Sequence, residues 1–131
     1  MSRYLIDTDW IVDVLNGQVV AADHLADLAP DGLAVSLISY CELWEGARFA
    51  RDPERAVNEL LSFLASKELL TLSAGIAQLF GEFRGQLRQT GQGINDFDLL
   101  IAATAIEYDL VLVTRNVRHF QRIPGLQIFS G

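Results

Sequence analysis

Apolar positions along the chain fall into two alternating patterns. Short apolar runs over residues 3–6, 33–36, 69–72 and 126–129 read as strands, and Leu110-Val111-Leu112-Val113-Thr114 is apolar throughout, as a central strand of a parallel sheet should be. Between them the spacing turns helical. Thr8 to Leu15 is predicted as a helix capped by Thr8 or Asp7 and stopped by Asn16-Gly17. Val19 to Leu28 repeats Ala21, Leu25 and Leu28 before Pro30-Asp31-Gly32 turns the chain, and Ile38 to Phe49 forms the next helix. Asp52-Pro53-Glu54 combines a capping acid, a proline at the first helical position and a first-turn acid, and its helix runs to about Ala65 with Val57, Leu60, Leu61 and Leu64 on one face. Ser73 opens a long helix to about Gln89, carrying Ile76, Leu79, Phe80, Phe83 and Leu87. The loop Thr90-Gly91-Gln92-Gly93 then delivers a helix, capped by Asn95, that is apolar almost all round from Phe97 to Ile106 and so should be buried on most sides. Strands alternating with helices imply an α/β protein with a parallel sheet covered on both faces, built as one domain over residues 1–131.

Composition supports that size of core. Half of the 131 residues are apolar, and no apolar run approaches the length of a bilayer span. The N-terminus meets Asp7 before any signal-type segment develops, so a cytoplasmic location is expected and no membrane association. Cys41, the only cysteine, rules out an internal disulfide or a cysteine zinc site and reads as a small core residue. The net charge of −7 opposes broad electrostatic capture of nucleic acid and favours a basic partner. A nuclease stays open, because a carboxylate site supplies much of that charge and divalent ions reverse the local field.

The candidate chemistry lies where strands hand over to helices. Asp7 follows the first strand, and Thr114 and Asn116 follow the apolar fourth, the carboxyl ends at which open α/β sheets build their sites. Asp98 stands on the turn where its helix enters the core, and a desolvated carboxylate there calls for a positive partner. Each acid also has an ordinary reading. Asp7 serves as a helix cap, Asp98 as a weak capping box with Asn95, and Asp9 as an acid favoured by the helix dipole. Glu42 and Glu45 share a helix face, with Glu45–Arg48 expected as a surface pair, and His24 reads as a solvated helix residue between Asp23 and Asp27. Trp10 and Trp44 suit base stacking, although apolar helix residues of this kind more often serve core or interface.

Leu5-Ile6-Asp7-Thr8, Ser39-Tyr40-Cys41-Glu42-Leu43, Asp98-Leu99-Leu100-Ile101-Ala102-Ala103 and Val113-Thr114-Arg115-Asn116-Val117-Arg118-His119-Phe120 together resemble a PIN domain, and more narrowly the VapC family of toxins, over essentially the whole chain. The resemblance implies a PIN-like α/β/α sandwich, with acids at the strand ends binding Mg²⁺ or Mn²⁺. It implies an endoribonuclease toxin acting on selected RNAs such as tRNA or rRNA, silenced by a cognate VapB-type antitoxin, and a homodimer. By motif the first three family acids fall on Asp7, Glu42 and Asp98, and Thr114 matches the hydroxyl residue after the last core strand. The fourth acidic position holds Asn116, which brings a carbonyl oxygen but no charge; Asp96 is the nearest replacement acid. Hard oxygen ligands suit Mg²⁺ or Mn²⁺ better than zinc, with one or two ions left open. Arg115, Arg118 and Arg84 are the expected contacts to substrate phosphate. Alternatives are a PIN nuclease acting on DNA, a scaffold that has lost catalysis and works through partners, and a phosphate-responsive receiver domain, the last disfavoured because the only lysine is Lys67.

Overall fold

A computed structural model describes residues 1–131. Five parallel strands form one sheet: β1 (Tyr4–Ile6), β2 (Leu33–Ser36), β3 (Glu68–Leu70), β4 (Val111–Val113) and β5 (Ile128–Phe129), in spatial order β3-β2-β1-β4-β5. Seven helices connect them: α1 (Thr8–Leu15), α2 (Val19–Leu28), α3 (Leu37–Arg48), α4 (Pro53–Leu64), α5 (Ala74–Gln89), α6 (Asp96–Glu107) and α7 (Val117–Phe120).

Side chains alternate across a strand, and here both faces are buried, which explains the lack of polar alternation in the sequence. Leu5, Ala34 and Leu112 pack on one side with Phe83, Leu87, Leu99 and Ile101 from α5 and α6. Their strand neighbours Ile6, Val35 and Val113 pack on the other with Ile11, Leu25, Leu43 and Leu60 from α1 to α4. The chain builds outward from β1 through β2 to β3, then returns to β4 on the opposite side of β1. That reversal opens a crevice beyond the carboxyl ends of β1 and β4, where ligands settle in open parallel sheets.

The strands end where their partners end. β3 pairs only with Ala34–Ser36, and Ser36 already caps α3, so Thr71 and Leu72 have no neighbour to extend the strand predicted over 69–72. β5 likewise pairs only through Ile128 and Phe129, not from Leu126. The helix α7, unforeseen in the sequence, is a single turn that buries Phe120.

Several side chains depart from expectation. His24 is not a solvated residue: its ring packs 5.9 Å from Trp10 and 5.9 Å from Phe129, and its Nδ1 is buried without a hydrogen-bond partner. Trp10 is core, with its indole N–H donating to the Ala21 carbonyl at 3.2 Å. Cys41 and Phe97 are exposed rather than buried, because each lies on the outer side of its helix. Glu45 and Arg48 do not pair; the ion pairs are Arg55–Glu59, Arg84–Asp96 and Arg115–Asp13.

Candidate active site

Asp7 is placed by β1 and by the start of α1. Its backbone N–H joins β4 by donating to the Val113 carbonyl at 2.9 Å, and its carboxyl caps α1 by accepting from the Thr8 N–H at 2.9 Å. The other carboxyl oxygen accepts from the Thr114 hydroxyl at 2.8 Å. Thr114, directly after β4, itself accepts from the Asn116 N–H at 3.0 Å. The two strand ends are therefore joined by a direct hydrogen bond between Asp7 and Thr114.

Glu42 arrives on α3, half-buried, with Oε1 accepting from the Thr8 hydroxyl at 2.7 Å. Asp98 sits in the first turn of α6, also half-buried, where the helix N-terminus favours a negative charge. Four segments distant in sequence, the end of β1, the middle of α3, the first turn of α6 and the end of β4, thus converge on one crevice.

The electrostatics show that these acids share a neighbourhood. Burial raises Asp7 from 3.8 to about 6; the Thr114 and Thr8 hydrogen bonds oppose the rise, and the negative charges of Asp98 and Asp9 add to it. Glu42 is raised by burial, with the Thr8 hydrogen bond opposing and Asp98, Asp9 and Glu45 adding. Asp98 is raised by burial and by Asp9, while the His119 ring acts in the opposite direction. Carboxylates that disfavour one another's ionisation are the setting in which a divalent cation binds best.

The donor set fits a hard cation, though not as a closed cage. No three His, Cys, Asp or Glu side chains meet at a common ligation point. Mg²⁺ needs no such cage, because it keeps several waters and is commonly held by one or two carboxylates together with substrate phosphate. Each Asp7 and Glu42 oxygen that accepts one hydrogen bond retains a second lone pair.

Other expected residues are placed differently. Asp96 does not join the cluster. Its carboxylate is bound at 2.9 Å by Arg84 Nε, both side chains are substantially exposed, and its charge is not among those acting on Asp7, Glu42 or Asp98. That pair also occupies Arg84. Arg115 lies 2.9 Å from the mostly buried Asp13 carboxylate, an ion pair without hydrogen-bond alignment, and so ties the segment after β4 to α1. Arg118 is exposed and forms no ion pair. Asn116 turns its side-chain amide to His119, 2.9 Å from the ring Nδ1.

Four participants were missed from sequence. Asp9, read as a dipole acid, contributes its charge to all three matched carboxylates. Thr8 and Ser39 provide the hydroxyls behind Glu42, and the signal for Ser39 was its place one helical turn before Glu42 on α3. His119, on the turn after Asn116, acts on Asp98.

Comparisons with known proteins agree with this arrangement. The PIN domain family model matches residues 4–126. Ribonuclease VapC19 of Mycobacterium tuberculosis is 39% identical over 125 residues, covering 94% of this chain and 96% of the relative. The tRNA(fMet)-specific endonuclease VapC of Shigella flexneri is 27% identical, covering 97% and 96%. Among solved structures, VapBC2 from Rickettsia felis bound to a DNA fragment from its promoter superposes with a TM-score of 0.92 at 33% identity, covering 98% of each chain. With Asp7 and Thr114 joined at the β1 and β4 ends, the sandwich fold and these likenesses all in agreement, the chain belongs to the PIN-domain family, in its VapC branch.

Proposed function

We propose that this chain is an endoribonuclease toxin that hydrolyses phosphodiester bonds in selected RNAs, tRNA or rRNA among them, and that a VapB-type antitoxin silences it. The observation that carries the reading is the approach of Asp7, Glu42 and Asp98 to one crevice at the sheet's switch point, where each has its ionisation opposed by burial and by neighbouring charge. Asp7, Glu42 and Asp98 would hold Mg²⁺ or Mn²⁺; when bound, such an ion supplies Lewis acidity toward the phosphodiester. Thr114 and Thr8 orient the carboxylates, and of the three arginines expected to meet substrate phosphate Arg118 alone is exposed and outside an ion pair. RNA as substrate is supported by the ribonuclease and tRNA endonuclease relatives.

Purified Asp7→Ala, Glu42→Ala and Asp98→Ala variants are expected to lose RNA cleavage in Mg²⁺ or Mn²⁺ while keeping the folded circular-dichroism spectrum. Parent-level cleavage by all three would overturn the assignment. Matched single-stranded RNA and DNA substrates separate ribonuclease from deoxyribonuclease action, and sequencing the new RNA ends after brief induction identifies the target.

The partner reading has its own structural support. A groove of about 240 Å³ runs between α1, α3 and α4, lined by Val12, Leu15, Leu43, Ala47 and Leu60, with Glu42 at its edge. An amphipathic antitoxin segment would lay its apolar side there and extend an Arg or Lys toward the acids. The VapBC complexes from Rickettsia felis and Haemophilus influenzae are toxin–antitoxin relatives of matching fold. The proposed assembly of the free toxin is a homodimer, and a monomer mass from light scattering would refute it.

A further inference from the structure

Glu42 is held by more than its own helix. Thr8 Oγ1 lies 2.7 Å from Glu42 Oε1 and 2.8 Å from Ser39 Oγ, while Ser36 Oγ lies 3.2 Å from Ser39 Oγ and accepts the Ser39 N–H at 3.0 Å. Ser36 and Ser39 are completely buried, and Thr8 is buried beside them.

A hydroxyl has one proton to give, and Thr8 has two close oxygen neighbours. An ionised carboxylate only accepts, so the Thr8 proton goes to Glu42. Ser39 must then donate to Thr8, and Ser36, the longest link, to Ser39. Every hydroxyl in the row gives its proton in the same direction and ends on Glu42. The supports come from three different places: Ser36 ends β2, Ser39 lies one turn before Glu42 on α3, and Thr8 opens α1 directly after Asp7. Thr8 also gives its backbone N–H to Asp7, so one residue grips both acids, with the amide on Asp7 and the hydroxyl on Glu42.

We infer that Thr8 and Ser39 are positioning residues that fix the Glu42 carboxylate relative to Asp7, with Ser36 anchoring the row from the sheet. The inference rests on the proposed role of these acids and adds what sets the distance and orientation between them. Without the row, Glu42 is a flexible side chain at the mouth of a groove, free to turn away from Asp7.

The test compares Thr8→Val, which keeps the branched shape and removes the donor, with Thr8→Ser, which restores the hydroxyl, and with Ser39→Ala. Each is measured for thermal unfolding, Mn²⁺ affinity by titration calorimetry, and kcat and KM on RNA. Thr8→Val is expected to weaken Mn²⁺ binding and kcat by about tenfold or more, the usual reach of a residue behind a metal ligand, with KM little changed. Ser39→Ala should show a smaller loss of the same kind, and Thr8→Ser should recover most of both values. Unaltered Mn²⁺ affinity and kcat in a folded Thr8→Val would overturn the inference. Equal losses in Thr8→Val and Thr8→Ser would also overturn it, because packing rather than the hydroxyl would then be responsible. Glu42→Ala run alongside keeps the two ideas apart: if it cleaves like the parent chain, the site itself is misassigned, whereas its loss with intact Thr8→Val refutes only the positioning row.

Discussion

Burying the Asp7 carboxyl has a thermodynamic consequence that can be measured without substrate. With its value raised from 3.8 to about 6, the folded protein holds a proton there more tightly than the unfolded chain. Relative to the fully protonated state, stability is therefore intact below the unfolded value and is lost as pH rises from about 4 to about 6. The loss is on the order of 3 kcal/mol, and Glu42 and Asp98 are shifted in the same direction. Without divalent ions, Asp7→Asn should unfold at a higher temperature than the parent chain near neutral pH, and the advantage should vanish near pH 4. The gain will be partial, since Thr114 loses its carboxylate acceptor. Thermal melts across this range check it, and an Asp7→Asn variant less stable at neutral pH would contradict the burial cost. Asp96 and Asp98 offer the opposite contrast two residues apart. Because Asp96 is engaged in an exposed ion pair with Arg84, a contact worth about 0–1 kcal/mol, Asp96→Ala should leave cleavage within a few fold of the parent rate, while Asp98→Ala removes it.

Helix α3 serves two surfaces at once. It brings Glu42 to the acids and lines the groove with Leu43, Gly46 and Ala47. A side chain added at Gly46 meets nothing within 4 Å, so Gly46→Leu should fold normally and fill the groove. The expected result is RNA cleavage near the parent rate with loss of antitoxin co-purification; retained association would place the antitoxin elsewhere. The elements themselves were largely legible. Proline 53 with its flanking acids marked the start of α4, and the apolar run after Asp109 marked β4, because caps and unbroken burial are local signals. Strand lengths were less legible, since β3 and β5 stop where a neighbouring strand stops, which no local window contains. The site divided the same way. Asp7, Glu42, Asp98 and Thr114 stood out through strand-end position and family motif, whereas Thr8, Ser39 and Asp9 depend on α1 lying beside α3 and α6. His24 was misjudged because its acidic sequence neighbours concealed the aromatic rings that fold against it.

The whole molecule carries a net charge of −7, which opposes RNA at long range and would favour the approach of a basic segment of the proposed antitoxin. Association with the antitoxin should slow as ionic strength rises, mainly through the on-rate, which stopped-flow measurements over a salt series would show. A rate independent of salt would remove electrostatic steering from the account. No helix is long and apolar enough to cross a membrane. The two tryptophans occupy opposite environments. Trp10 is 4% exposed inside the sandwich, whereas Trp44 is 38% exposed and stacks on Tyr40 along α3, 6.2 Å between ring centres. The chain therefore contains two built-in fluorophores with separate duties: the sealed indole signals collapse of the fold, and the wet one, on the same helix as the groove, changes colour when something settles over α3, so inhibition and denaturation can be told apart in one cuvette without a dye.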